Sequence, residues 1–131
     1  MPPQAVTHDV QPEGDAHWLD VCAFDDIYPA SGVAALIMGE QVAVIRTRHD
    51  RVYAISNFDP FSKAFVIARG IVGSKGGIPK VASPIYKQSF NLETGECLDD
   101  PTVKLPVYPV RVSGGRVKVG VHGLPPLGRA R

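Results

Sequence analysis

The stretch Val81-Ala82-Ser83-Pro84-Ile85-Tyr86-Lys87-Gln88-Ser89-Phe90-Asn91-Leu92-Glu93-Thr94-Gly95-Glu96 decides how the rest of the chain is read. Val81-Ala82-Ser83-Pro84 and Ser89-Phe90-Asn91-Leu92 read as two short strands around a tight proline-containing loop, and Glu93-Thr94-Gly95-Glu96 reads as the turn that follows. Upstream, Ser56-Asn57-Phe58-Asp59-Pro60-Phe61 is a first loop of similar character. Between Asn57 and Lys80 the pattern is broken by Pro60, Gly70, Gly73, Gly76, Gly77 and Pro79, which predicts a long functional loop region. Before it, Val33–Ile37, Gln41–Arg46 and Val52–Ile55 are short runs rich in branched residues, separated by Gly39-Glu40 and by Arg48-His49-Asp50, the pattern of an antiparallel meander. After it, Val107–Val112 and Arg116–Val119 alternate about Ser113-Gly114-Gly115, a final hairpin.

The composition agrees with strands and turns. A chain of 131 residues suits one hydrophobic core, and thirteen glycines with twelve prolines are more than a helical bundle tolerates. The expected organisation is a flexible leader over residues 1–17, a β domain over 18–121 that opens with a strand at Trp18–Cys22, and a flexible tail over 122–131. A formal net charge of +1 gives no global field, so neither nucleic acid nor a membrane surface is an expected partner. Cys22 and Cys97 are far apart and fit small apolar core positions. The N-terminus lacks both a basic stretch and an apolar run, which predicts a cytoplasmic, reduced protein.

The two proline loops resemble the cluster-binding loops of Rieske-type ferredoxins, where Cys-x-His and Cys-x-x-His hold a two-iron cluster. The trailing Phe90-Asn91-Leu92-Glu93-Thr94-Gly95-Glu96 aligns with the stretch that follows the second ligand pair in those proteins. The resemblance implies an all-β, Rieske-like antiparallel sandwich with two loop-capped hairpins and little helix. It places Asp59 and Phe61 at the first Cys and His positions, and Ser83 and Tyr86 at the second pair. All four metal ligands are replaced. A phenyl ring offers no donor, and carboxylate, hydroxyl and phenol are poor substitutes for thiolate and imidazole. The combination of Asp59-Pro60-Phe61-Ser62 with Ser83-Pro84-Ile85-Tyr86-Lys87-Gln88 resembles the small-subunit family of NADH-dependent assimilatory nitrite reductases.

That resemblance implies a non-catalytic subunit with no cofactor of its own. Its partner is then a large subunit carrying FAD, siroheme and an iron-sulfur cluster, which reduces nitrite to ammonia. Two other readings stay open: a Rieske-type [2Fe-2S] carrier with an unforeseen ligand set, and a free-standing binding module on the same fold. Between Asn57 and Phe90 the cations Lys63, Arg69, Lys75, Lys80 and Lys87 face Asp59 alone, a local charge of +4 in a chain of +1. Lys63, Lys80, Lys87 and Phe58 are therefore the candidate contacts with a partner. Phe61 and Tyr86 are expected to fill the space a cluster would occupy. Asp59 and Ser83 are expected to accept backbone amides two residues on and so hold their loops without metal.

Overall fold

The computed structural model describes residues 17–121 and the backbone of Val6–Thr7. Its strands are β1 (Val6–Thr7), β2 (His17–Ala23), β3 (Ser31–Ile37), β4 (Glu40–Arg46), β5 (Arg51–Ser56), β6 (Phe58–Asp59), β7 (Ala64–Phe65), β8 (Ile71–Lys75), β9 (Ile78–Ala82), β10 (Ser89–Asn91), β11 (Val107–Tyr108), β12 (Val110–Ser113) and β13 (Arg116–Val121). The described helices are two single 3₁₀ turns, Phe24–Asp26 and Ile67–Arg69, and none is long and apolar enough to cross a membrane.

The expected meander forms the central sheet, in the order β5-β4-β3, and the far edge of β5 is shared by β1 and β11. Successive residues of β4 and β5 serve opposite faces. Val42, Val44, Val52 and Ala54 join one core with Phe24, Ile27, Val110, Val117 and Val119. Ala43, Ile45, Tyr53 and Ile55 join a second core with Ile67, Val81, Phe90, Leu92, Cys97 and Leu105. This double burial explains why the two strands read as unbroken apolar runs. The sheet β12-β13-β2 covers the first face and β10-β9-β8 the second, so the sandwich has three layers.

Everything from Asn57 to Pro106 is one excursion between β5 and β11, and it carries both proline loops. Its first half differs from the long loop expected there. Residues 58–65 form the ribbon β6-β7, and β8 and β9 form a regular hairpin around Gly76-Gly77, both in the left-handed region at φ 58° and 84°. The glycines are therefore hairpin-turn residues rather than breaks. Val6–Thr7, inside the expected leader, pairs in parallel with Arg51-Val52 of β5. The rest of the expected leader ahead of His17, and the tail from His122, lie outside the described residues.

The turn after β10 leaves no room for a side chain. Gly95 has φ 86°, its amide donates to the Asn91 carbonyl at 2.7 Å, and its own carbonyl accepts the Leu105 amide at 2.8 Å. A Cβ there would collide with the Leu105 carbonyl oxygen. Gly95→Ala is expected to lower stability by about 2–4 kcal/mol, measured by denaturant unfolding, because strain and collision add.

Candidate functional site

The ribbon β6-β7 and the hairpin β9-β10 bring the two proline loops side by side, and a buried polar cluster joins them. Asp59 closes β6 and Ser83 follows β9; both are 0% exposed. The Ser83 hydroxyl donates to Asp59 Oδ2 at 2.5 Å, across 24 residues of sequence. The Ser62 hydroxyl donates to the same oxygen at 2.7 Å, and the Phe61 amide donates to Oδ1 at 2.9 Å. Ser83 Oγ in turn accepts the Ile85 amide at 3.2 Å. Both expected turn roles are present, and the bond between them is additional.

Burial alone raises the Asp59 pKa, but hydrogen bonds from the Ser83 and Ser62 side chains and from the Phe61 and Ser62 amides outweigh it and hold the carboxyl below the ordinary Asp value. The group is thus an ionised, hydrogen-bonded carboxylate inside the protein, the condition under which buried charge is tolerated.

Asn57 anchors the base of this excursion, a role that its position in the sequence does not reveal. Its side chain donates to Gln41 Oε1 at 3.1 Å and accepts the Ala68 amide at 2.7 Å, while its backbone pairs with Gln41 and Ile67. Phe61 packs against the second core with its ring centroid 6.2 Å from Phe90, as a space-filling side chain should. Tyr86 does not fill that space. It is 61% exposed, because Ser83–Gln88 closes as a tight loop and carries its middle residues outward.

Of the candidate contact residues, Lys63 and Lys87 are exposed at the two loop ends. Lys80 is half-buried and its ammonium donates to Ser89 Oγ at 3.1 Å. Phe58 is half-buried, its ring 5.1 Å from that of Phe65, and Phe65 at 52% exposure presents the more accessible ring. Ile85 stands beside Tyr86 at 44% exposure.

This side-chain set does not fit a two-iron cluster. Of the four residues that the resemblance places at ligand positions, Asp59 and Ser83 are hard oxygen donors already bonded to each other, Phe61 has no donor atom, and Tyr86 lies on the surface. Among the described residues, no group of three or more His, Cys, Asp or Glu side chains could hold a metal ion.

An all-β fold with two joined, loop-capped hairpins beside a central sheet defines a Rieske-like domain, and residues 17–120 match the Rieske-like [2Fe-2S] domain family. The nitrite reductase (NADH) small subunit of Salmonella typhimurium is 45% identical over 105 residues, covering 79% of this chain and 97% of that protein. A crystal structure of an NADH-dependent nitrite reductase small subunit from Mycobacterium tuberculosis superposes with a TM-score of 0.81 at 47% identity, covering 85% of this chain and all of that one. The chain belongs to the small-subunit family of NADH-dependent nitrite reductase. A nitrite reductase [NAD(P)H] large subunit from Klebsiella oxytoca contains a segment 39% identical to it over 103 residues, 11% of that longer protein.

Because the folded-state pKa of Asp59 lies below the unfolded value of about 3.9, its contribution to stability is complete above that value and is lost as pH falls through the folded pKa. Asp59→Ala leaves two hydroxyls and an amide without their acceptor and is expected to cost about 2–4 kcal/mol at neutral pH. Denaturant midpoints for the two proteins should converge as the solution is acidified below pH about 4.

Proposed function

We propose that this chain is a non-catalytic docking subunit of an NADH-dependent nitrite reductase, holding or orienting a large subunit that carries FAD, siroheme and an iron-sulfur cluster and converts nitrite to ammonia. The observation that carries this reading is the Asp59–Ser83 bond. It fastens the two loops with protein groups alone, so a surface that would otherwise surround a cluster is kept in shape for contact. The Klebsiella protein, in which a segment like this chain is part of the large-subunit polypeptide, supports a working pair.

The contact surface in this reading is the loop pair. Ile85, Tyr86 and Phe65 supply an exposed apolar centre, with Lys63, Lys80 and Lys87 around it. The sole acid of the stretch, Asp59, is buried and internally satisfied, so the exposed charge over residues 57–90 is entirely positive. Such a surface suits an acidic face on the partner. The chain itself is proposed to carry no cluster and to work in the cytoplasm; the donor mismatch at Asp59, Phe61, Ser83 and Tyr86 disfavours the electron-carrier reading.

Titrating the chain into isolated large subunit, with nitrite-dependent NADH oxidation and direct association followed in parallel, tests the proposal. Saturable binding with raised or prolonged activity is expected, and affinity should fall about tenfold or more from low to near-physiological ionic strength. The purified chain should contain no iron above background and show no visible charge-transfer absorption. Stoichiometric iron would return the carrier reading, and failure to associate at low salt would favour an independent binding module.

A further inference from the structure

The two loops are built to one plan. Asp59 and Ser83 each precede a proline, and each side chain accepts the amide two residues on, from Phe61 and Ile85. Each carbonyl accepts the amide four residues on, from Lys63 at 2.7 Å and Lys87 at 3.1 Å. The match extends one residue further: Asp59 faces Ala64 across β6-β7, and the Ser83 amide donates to the Gln88 carbonyl at 2.8 Å. Both turns close on a lysine in the left-handed region, at φ 58° for Lys63 and 68° for Lys87.

Glycine meets that backbone requirement without strain, and lysine does not. The hairpin turns at Gly76-Gly77 and Gly114-Gly115 use glycine for the same conformation. Other residues with positive φ have a local reason or little side chain to accommodate: Asp50 is held by Arg46, Met38 packs on the first core, and Ala30 lies in an exposed turn. Among the described residues the lysines gain no comparable support. Neither lysine is ion-paired with a carboxylate of the described residues, and Lys87 Nζ donates to the Pro84 carbonyl of its own loop at 3.1 Å. Strain held at two equivalent, exposed positions points to a use outside the chain.

We infer that Lys63 and Lys87 are a matched pair of specificity-determining contacts, each meeting a carboxylate on an acidic face of the large subunit, and that they are kept at a cost in fold stability. The inference rests on the docking reading above. The left-handed backbone fixes where each side chain leaves its loop, beside the exposed Tyr86, Ile85 and Phe65, so less freedom is lost when a partner carboxylate is engaged.

Stability and binding should therefore move in opposite directions. Lys63→Gly/Lys87→Gly is expected to raise the Tm by about 2–6 °C and to weaken association with the large subunit by about tenfold or more, with a shallower salt dependence. Lys63→Arg/Lys87→Arg, which keeps charge and strain, should leave the Tm unchanged and hold affinity within about threefold. A glycine variant that binds like the unaltered chain, or melts no higher, overturns the assignment while the docking reading stands. Failure of the unaltered chain to bind overturns both.

Discussion

The hydrogen bond from the Ser83 hydroxyl to the Asp59 carboxylate is the constraint on which the loop surface depends. The strands beneath the two proline loops, β6-β7 and β9-β10, are short. The ribbon β6-β7, with two residues in each strand, would be marginal by itself in water. A buried carboxylate changes that, because removing any of its donors leaves a charge without full compensation inside the protein. Ser83 supplies a donor from the second loop, while Ser62 and Phe61 supply donors from the first. Opening either loop thus requires breaking the arrangement that stabilises the charge, which couples the two loops mechanically.

The rest of the chain keeps that clasp in place. The central strands β4 and β5 are buried on both faces, so the sheet from which the loop excursion departs has little freedom to deform. Asn57 ties the start of the excursion to Gln41 on β4 and to the Ile67–Arg69 turn. Leu105 ties its end to Gly95. The family relationship then has a physical reading. In this Rieske-like frame a carboxylate and a hydroxyl join the two proline loops, and the pair of turns carries lysines and apolar groups to the surface.

Much of this was legible in the sequence where burial is regular. Strands β3, β4 and β5 follow apolar runs cut by glycine or polar turns, and the structure moves their limits by only a residue or two, whereas the run expected over Val107–Val112 divides into β11, which pairs with β5, and β12, which pairs with β13. The turn roles of Asp59 and Ser83 were also legible, since Asp or Ser before proline has a local backbone partner. Their mutual bond was not, because nothing local in a sequence links positions 24 apart. Strand β8 was hidden for a different reason. It is mostly exposed and contains Gly73, so no alternation marks it. The outward position of Tyr86 was not legible, because a place in an aligned loop does not fix which way a side chain leaves that loop.

Amide hydrogen exchange in Ser83→Ala, compared with the unaltered chain, tests the coupling of the two loops most directly. The change lies in the second loop, and the informative amides are those of Phe61 and Lys63 in the first, which donate to the Asp59 side chain and carbonyl. Protection lost at Phe61 and Lys63 together with Ile85 and Lys87 is the result this account predicts. Protection lost at Ile85 and Lys87 but fully retained at Phe61 and Lys63 would contradict it, since the loops would then hold their shapes independently of the Asp59–Ser83 bond.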